Sequence, residues 1–329
     1  MKLLTVSVAA YNVEAYLDKC LGSFADERLA EGLEVLVVND GSTDRTAEIA
    51  RDYVARFPEI FRLIDKKNGG HGSTVNAGMR EAAGKYFRVV DGDDWVNTDQ
   101  MVTLLSRLAA IDSDMVVDQK RTVHMITGEE VPLPLPAGTP FDKAVPFLDY
   151  SDAAYCDYYN LHTLSVKTSL LREYGVELRE GIFYVDYEFI LKATARCRDV
   201  TFLDLDIYRY LIGNQNQSVD CRNYVRRISH HRRMTEEVLR FVTENRFEGA
   251  LGAYLFRRVC LVIHTHYNIA WIYNEDRKQG KEQGKEFRAF LKKKYPVYAK
   301  ATTKRYLTAR LLHALGVDYQ KLEKLMHRA

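Results

Sequence analysis

The chain has 329 residues, 47% hydrophobic and 28% charged, with a formal net charge of +2. That length can bury a sizeable core, and the composition is ordinary for a globular protein. The near-balanced charge removes any global electrostatic argument for nucleic acid as a partner, and no run of eighteen apolar residues marks a membrane-spanning helix.

In chain order, "MKLLTVSVAAYN" opens with a lysine and an apolar run that breaks at Tyr11-Asn12. It reads as a buried first strand rather than a leader peptide. Residues 13–30 carry Val13, Tyr16, Leu17, Leu21 and Phe24 at helical spacing, and "LEVLVVND" is a second buried strand. "TDRTAEIARDYVARF" follows as a helix with Asp44 placed to cap it. A third strand, "FRLID", leads into the glycine-rich "NGGHGSTVNAG", then a helix, then the strand "KYFRVV". Strand–helix alternation with continuously apolar strands predicts a parallel sheet covered on both faces. Beyond Trp95 the rhythm changes: a helix over 99–110, one or two strands in "SDMVVDQKRTVHMI", a proline-rich loop, and short tyrosine-rich elements over 150–220. From residue 221 the pattern is wholly helical.

Five scattered cysteines, odd in number and without Cys-x-x-Cys spacing, argue for reduced thiols, a cytoplasmic location and no zinc site. Residues 278–305 are rich in Lys and Arg, with Tyr295, Tyr298 and Tyr306 interleaved. Such a run is either a solvated face or a cationic surface for peripheral contact with an anionic membrane.

Asp91, Asp93 and Asp94 fall within four residues at the end of a buried strand. Ligands of open parallel sheets bind outside the strands' carboxyl ends. A hard divalent cation, Mg2+ or Mn2+, would offset the repulsion among these carboxylates, needing only one or two of them plus a substrate's phosphate oxygens. The plain alternative is a solvated turn capping the next helix. Two more strand ends offer chemistry. "NDGSTD" presents Asp40, either an acceptor for a base N–H or part of a capped turn, and "AAYN" presents Tyr11 and Asn12, an aromatic to stack on a base or a core wedge.

Together, "VSVAAYN.EAYLDKCLGS", "EVLVVNDGSTD" and "NGGHGSTVNAGMREAAGKYFRVVDGDDW" resemble the inverting family 2 glycosyltransferases of the GT-A fold, over residues 3–98 most strongly. The resemblance implies an α/β fold, a Rossmann-like mixed sheet with helices on both faces, followed by a C-terminal helical region. It divides the chain into a nucleotide-sugar half over 1–98, an acceptor half with the catalytic base over 99–220, and helices over 221–329. It implies a UDP-sugar donor, with Tyr11 packing on the base, Asn12 beside it and Asp40 bonding to the base. Asp91 and Asp93 would place the ribose, the diphosphate and Mn2+ or Mg2+. The arginine common in the "STVNAG" segment is replaced by Val75, so Arg88 is the expected substitute charge, and Gly70 with its neighbours would let the backbone approach the donor.

The family's base is the aspartate of a Glu-Asp pair before an aromatic-rich helix. In "REGIFYVDYEFILKA" that is Asp186, with Val185 in place of Glu and Glu188 as the nearest competitor. His162 stands where a lysine is common, and Tyr210, Gln217 and Ser218 are candidate donor contacts. The Gln-x-x-Arg-Trp of processive members is missing, which implies one sugar per encounter, passed to a glycan or lipid-linked acceptor. The rivals are a catalytically silent nucleotide-sugar-binding scaffold and a sugar nucleotidyltransferase, although the glycine- and basic-rich first loop of the latter has no counterpart here.

Overall fold

The computed structural model describes residues 2–156, 158–213, 220–319 and 321. The chain forms two compact units, Met1–Asn214 and Gln215–Ala329.

The first unit is built on one mixed sheet of ten strands among the described residues. They are β1 (Leu4–Ala10), β2 (Leu33–Asn39), β3 (Phe61–Asp65), β4 (Tyr86–Asp91), β5 (Trp95–Val96), β6 (Met115–His124), β7 (Glu130–Leu133), β8 (Ala144–Pro146), β9 (Leu164–Lys167) and β10 (Asp199–Ile212). The main path is β3-β2-β1-β4-β9-β6-β10-β5, with β7 on β6 and β8 on β10. The first four strands are mutually parallel, as their unbroken apolar runs predict. β9 then runs antiparallel to both β4 and β6, which makes the sheet mixed.

Helices α1 (Leu17–Gly22), α2 (Thr46–Arg56), α3 (His71–Glu81), α4 (Thr98–Leu108), α5 (Ala153–Cys156), α6 (Thr168–Glu173) and α7 (Val185–Thr194) complete this unit. α1 is far shorter than the spacing over 13–30 predicts. The amides of Val13 and Glu14 bond to Thr46 Oγ1 and Asp44 Oδ2, so this stretch is held in a turn instead of a helix. Asp44 also accepts from the Thr46 amide, which is the capping expected of it.

The second unit is helical throughout its described residues. It comprises α8 (Cys221–Arg226), α9 (Ile228–Asn245), α10 (Gly249–Asn268), α11 (Arg277–Lys294), α12 (Pro296–Ala301) and α13 (Thr303–Ala314), with a π-turn over Ile269–Tyr273 extending α10. Gly280 and Gly284 let α11 pack closely on that turn: a Cβ at either would sit 2.2 Å from Ala270 O or 2.1 Å from Trp271 Nε1. Among the described residues no helix is long and apolar enough to cross a membrane.

The register of the parallel strands positions the site. Ala10 pairs with Asn39, Asn39 with Asp65, and Ala9 with Asp91. The residues that follow these strands, Tyr11, Asp40 and Lys66, therefore emerge at one edge of the sheet together with Asp91.

Arg88, the expected substitute charge for a donor, does not reach that edge. It lies on β4 with no exposed surface, ion-paired with the equally buried Asp118 of β6. The pair is poorly compensated: Arg88 Nε and Nη1 and Asp118 Oδ1 have no hydrogen-bond partner. Burial pushes the Asp118 carboxyl up to about 7 in spite of the arginine. A buried pair of this kind costs more to break than to replace. Asp118→Ala should therefore destabilise the protein by about 3–5 kcal/mol in urea denaturation, while the double variant Arg88→Met/Asp118→Leu should lie within about 1 kcal/mol of the parent or above it.

Candidate active site

The wall beside Tyr11 is stitched from two loops. The Asp40 amide donates to Ala10 O at 2.9 Å, and the Asn12 side chain accepts from the Thr43 amide at 2.8 Å. The Asn12 amide donates to Ser42 Oγ at 3.0 Å, and Asn12 adopts a φ of 51° to do so. Asn12 is thus occupied in joining the loops. Tyr11 beside it is half exposed, its ring free to receive a flat ligand.

Asp40 corrects its expectation. Only 1% exposed, its carboxylate accepts from Lys66 Nζ at 2.7 Å and from the Gly69 and Gly70 amides at 2.9 and 2.8 Å. It holds the glycine loop in place rather than facing outward to a base. Gly70 takes a φ of 80°, a conformation that favours glycine. The glycines serve chain packing: a Cβ on Gly72 would lie 2.1 Å from Arg179 O. The Gly181 amide donates to Gly69 O at 2.6 Å, and the Asn76 side chain exchanges two hydrogen bonds with Leu178. The glycine loop at the start of α3 is thereby clasped to residues 178–181, which lead straight into α7.

Asp186 lies in the first turn of α7, after Tyr184 at a φ of 70°. Burial raises its pKa, nearby His71 and His162 oppose the rise, and the charge of Asp91 adds to it. Glu188, its competitor, is fully buried and bonded to Lys192 Nζ at 2.6 Å and to the Arg179 amide at 3.2 Å, so it anchors α7. Val185 is buried in the core.

The three clustered carboxylates divide the repulsion unequally. Asp94, 1% exposed, accepts from Tyr208 OH at 2.6 Å and from the Leu211 amide at 2.8 Å, which spends both oxygens on β10. Its carboxyl is pushed well up by burial and by Asp93 and Asp91. Asp91 lies between two histidines, with His71 Nε2 at 3.1 Å, off hydrogen-bond angle, and His162 Nε2 at 3.6 Å. Burial works against its charge, but His162 and His71 outweigh burial and hold it well below the usual carboxylate range. Asp93 is left with the surplus: burial and the charge of Asp91 push it up to about 6.

His162 stacks on Tyr210 and lies tilted against Tyr208, ring centroids 4.8 and 4.7 Å away, with Lys120 Nζ 3.2 Å from its Nδ1. Gln217 and Ser218 lie outside the described residues. Sequence reasoning missed His71 and Lys120. His71 sits inside the glycine segment that drew attention, whereas Lys120 lies in the polar stretch of β6 after its apolar start and carried no such signal.

The donor set fits a hard divalent cation. Ligand atoms of Asp91, Asp94 and His162 lie within 4.8 Å of one another. Asp94 is bonded to β10, so Asp91 is the carboxylate of that set left without a strand partner, and Asp93 lies two residues along the same turn.

A mixed α/β sheet carrying acids and aromatics at the carboxyl edge of its parallel strands is the architecture of the GT-A nucleotide-sugar transferases. The profile of glycosyl transferase family 2 matches residues 5–177, more than half the chain, and the protein belongs to that family. Glycosyltransferase GlyA of Streptococcus pneumoniae is 37% identical over 114 residues, 35% of this chain and 16% of GlyA. The uncharacterized glycosyltransferase EpsJ of Bacillus subtilis is 42% identical over 96 residues, 29% of this chain and 27% of EpsJ. The similarity thus spans about a quarter or less of these relatives' length.

Among solved structures, S. aureus TarS 1–349 in complex with UDP-GlcNAc superposes with a TM-score of 0.67 at 20% identity, covering 97% of this chain and 93% of TarS 1–349. The mannosyltransferase PcManGT of Pyrobaculum calidifontis, in complex with GDP-Man and Mn2+, gives 0.53 at 17% identity, covering 95% and 86%. At these identities the likeness is one of fold.

The clasp at Gly72 has a direct test. Gly72→Ala drives a methyl into the Arg179 carbonyl and displaces the segment that carries Asp186. A misplacement of about 1 Å costs on the order of 100-fold in rate. Steady-state transfer should fall by that order while circular dichroism stays native.

Proposed function

We propose that this chain transfers one sugar per encounter from a nucleotide sugar, a UDP-sugar, to a hydroxyl of a glycan or lipid-linked acceptor, with inversion at the anomeric carbon. The observation that carries the reading is Asp91 at the carboxyl edge of the sheet, with His71 Nε2 at 3.1 Å and His162 Nε2 at 3.6 Å, and Asp186 in the first turn of α7 within the electrostatic reach of both histidines. The fold shared with a UDP-GlcNAc complex and the exposed Tyr11 beside the stitched loops support a uridine donor.

The base of the donor stacks on Tyr11, against the wall that Asn12 and Asp40 hold rigid. The diphosphate extends along the edge toward Asp91 and Asp93. Asp91 and Asp93 would hold a divalent cation there, and when bound it would supply charge neutralisation for the departing diphosphate. Asp186 accepts the acceptor hydroxyl's proton as that oxygen forms its bond to the anomeric carbon. The bond from the anomeric carbon to the phosphate oxygen breaks on the opposite side, and UDP leaves with the electron pair. A raised pKa suits Asp186 to this work, because a general base is most effective when its pKa approaches the operating pH. His71 and His162 favour the anionic form of Asp91.

Asp93→Ala should abolish transfer together with cation-dependent binding of UDP, measured by calorimetry with and without Mn2+. Full activity in that variant would remove the cation from this site. Asp186→Asn should retain UDP binding while kcat falls by about 100- to 10,000-fold. In the parent, kcat should drop on the acid side with an apparent pKa above the ordinary carboxylate value of about 4, since the base must be ionised to act. An acid limb at the ordinary value, or unchanged turnover in Asp186→Asn, would place the base elsewhere.

A further inference from the structure

The helical unit carries an outward face that the donor chemistry does not use. Over residues 277–310 there are twelve Lys or Arg and two Glu, a net +10 in a chain whose total is +2. The interleaved tyrosines are not the surface of this region. Tyr298 is buried against Phe256, with ring centroids 4.7 Å apart, and Tyr306 packs beside Tyr267 and Trp271.

The exposed apolar residues are aliphatic. Val297 is 66% exposed on α12, and Leu307, Leu311 and Leu315 are 52, 58 and 69% exposed on and just after α13. The opposite side of α13 is the packed one: Ala309 and His313 are buried, and His313 Nδ1 meets Trp271 O at 2.9 Å.

The spacing puts these residues on one stripe. Leu307, Leu311 and Leu315 follow one another at i, i+4 and i+8, so they share a helix face. α12 and α13 are separated by Thr302 alone, and backbone bonds cross the junction from the Tyr306 amide to Thr302 O and from the Thr302 amide to Tyr298 O. Carried back through that junction, the same face takes in Lys304, Lys300 and Val297, with Arg310 at its border. All three cations are exposed, and among the described residues none has a carboxylate within salt-bridge reach.

We propose that the outer face of α12 and α13 is a docking surface for an anionic lipid bilayer. It would lie in the plane of the interface with the leucines at the acyl boundary and the lysines among the headgroups. An aliphatic row flanked by unpaired cations is the pattern of an interfacial helix. The same charges decide against a second copy of this chain as the occupant, because two such faces would bring like charges together across an apolar seam. The surface goes beyond the donor reading and is independent of it, since none of its residues belongs to the unit that carries the acids.

The test uses the full chain and vesicles of phosphatidylcholine with and without 30% phosphatidylglycerol, read by co-sedimentation. The parent should partition onto the anionic vesicles and not onto the neutral ones, and should be released in high salt as the surface potential is screened. Lys300→Glu/Lys304→Glu should lower the partition coefficient by at least about tenfold, as each cation lost near an anionic surface costs about fivefold. Leu307→Ser/Leu311→Ser should lower it comparably. Both pairs are solvent-exposed, and unchanged UDP binding and circular dichroism would verify that the variants are folded. Equal sedimentation of parent and variants, binding to neutral vesicles alone, or a dimer in light scattering that the leucine variant dissolves would each overturn the proposal. Failure of Asp93→Ala or Asp186→Asn to affect transfer would bear on the donor reading and leave this one standing.

Discussion

Three carboxylates within four residues cannot all remain charged in a half-buried turn, and much of the first unit is arranged around that constraint. The solution differs for each acid. Asp94 is bonded into β10 through Tyr208 and the Leu211 amide. Asp91 is held ionised between His71 and His162. Asp93 is raised by burial first and by the charge of Asp91 second. The histidines come from distant parts of the chain, the start of α3 and the loop before β9, so the charge balance itself ties those segments to the end of β4. His162 is in turn fixed by the tyrosines of β10, which makes one strand responsible for both the buried and the open side of the cluster.

A second constraint is steric. The glycine segment before α3 has the look of a ligand cradle, and its glycines do permit a close approach, but of the chain to itself. Gly72 accommodates the Arg179 carbonyl, and Asp40 gathers the Gly69 and Gly70 amides from below. The result is that the glycine loop and the entry to α7 are held directly against each other. Proximity between a leaving group and a general base depends on such mutual fixation more than on either residue alone.

The strands, their parallel order and the acid-bearing edge were legible in the sequence because continuous apolar runs and abrupt polar ends are local signals. Asp186 draws attention through its setting before an aromatic-rich helix, and it lies in the first turn of α7. What the sequence hid was pairing at long range. Arg88 looked available because it interrupts an apolar strand near the acids. That Asp118, thirty residues on, consumes it is a property of sheet order, β4 and β6 being separated only by β9. Asp40 looked like an outward acceptor for the same reason: its partners at residues 66 to 73 become neighbours only once β2 and β3 pair. His71 was obscured by the glycines around it, whose conformational meaning is easier to read than a lone side chain's contacts.

The Arg88–Asp118 pair also restricts how this chain can diverge. Both members lie within residues 5–177, the span that the family profile matches, but on strands far apart in sequence. An exchange of the first ninety-odd residues with those of a relative lacking the arginine would strand a carboxylate in the middle of the sheet, whatever the quality of the active site it imported. The two halves are therefore bound to change in step at this point. A pair buried away from the acid-bearing edge thus limits which first ninety residues can be combined with the rest of this sheet.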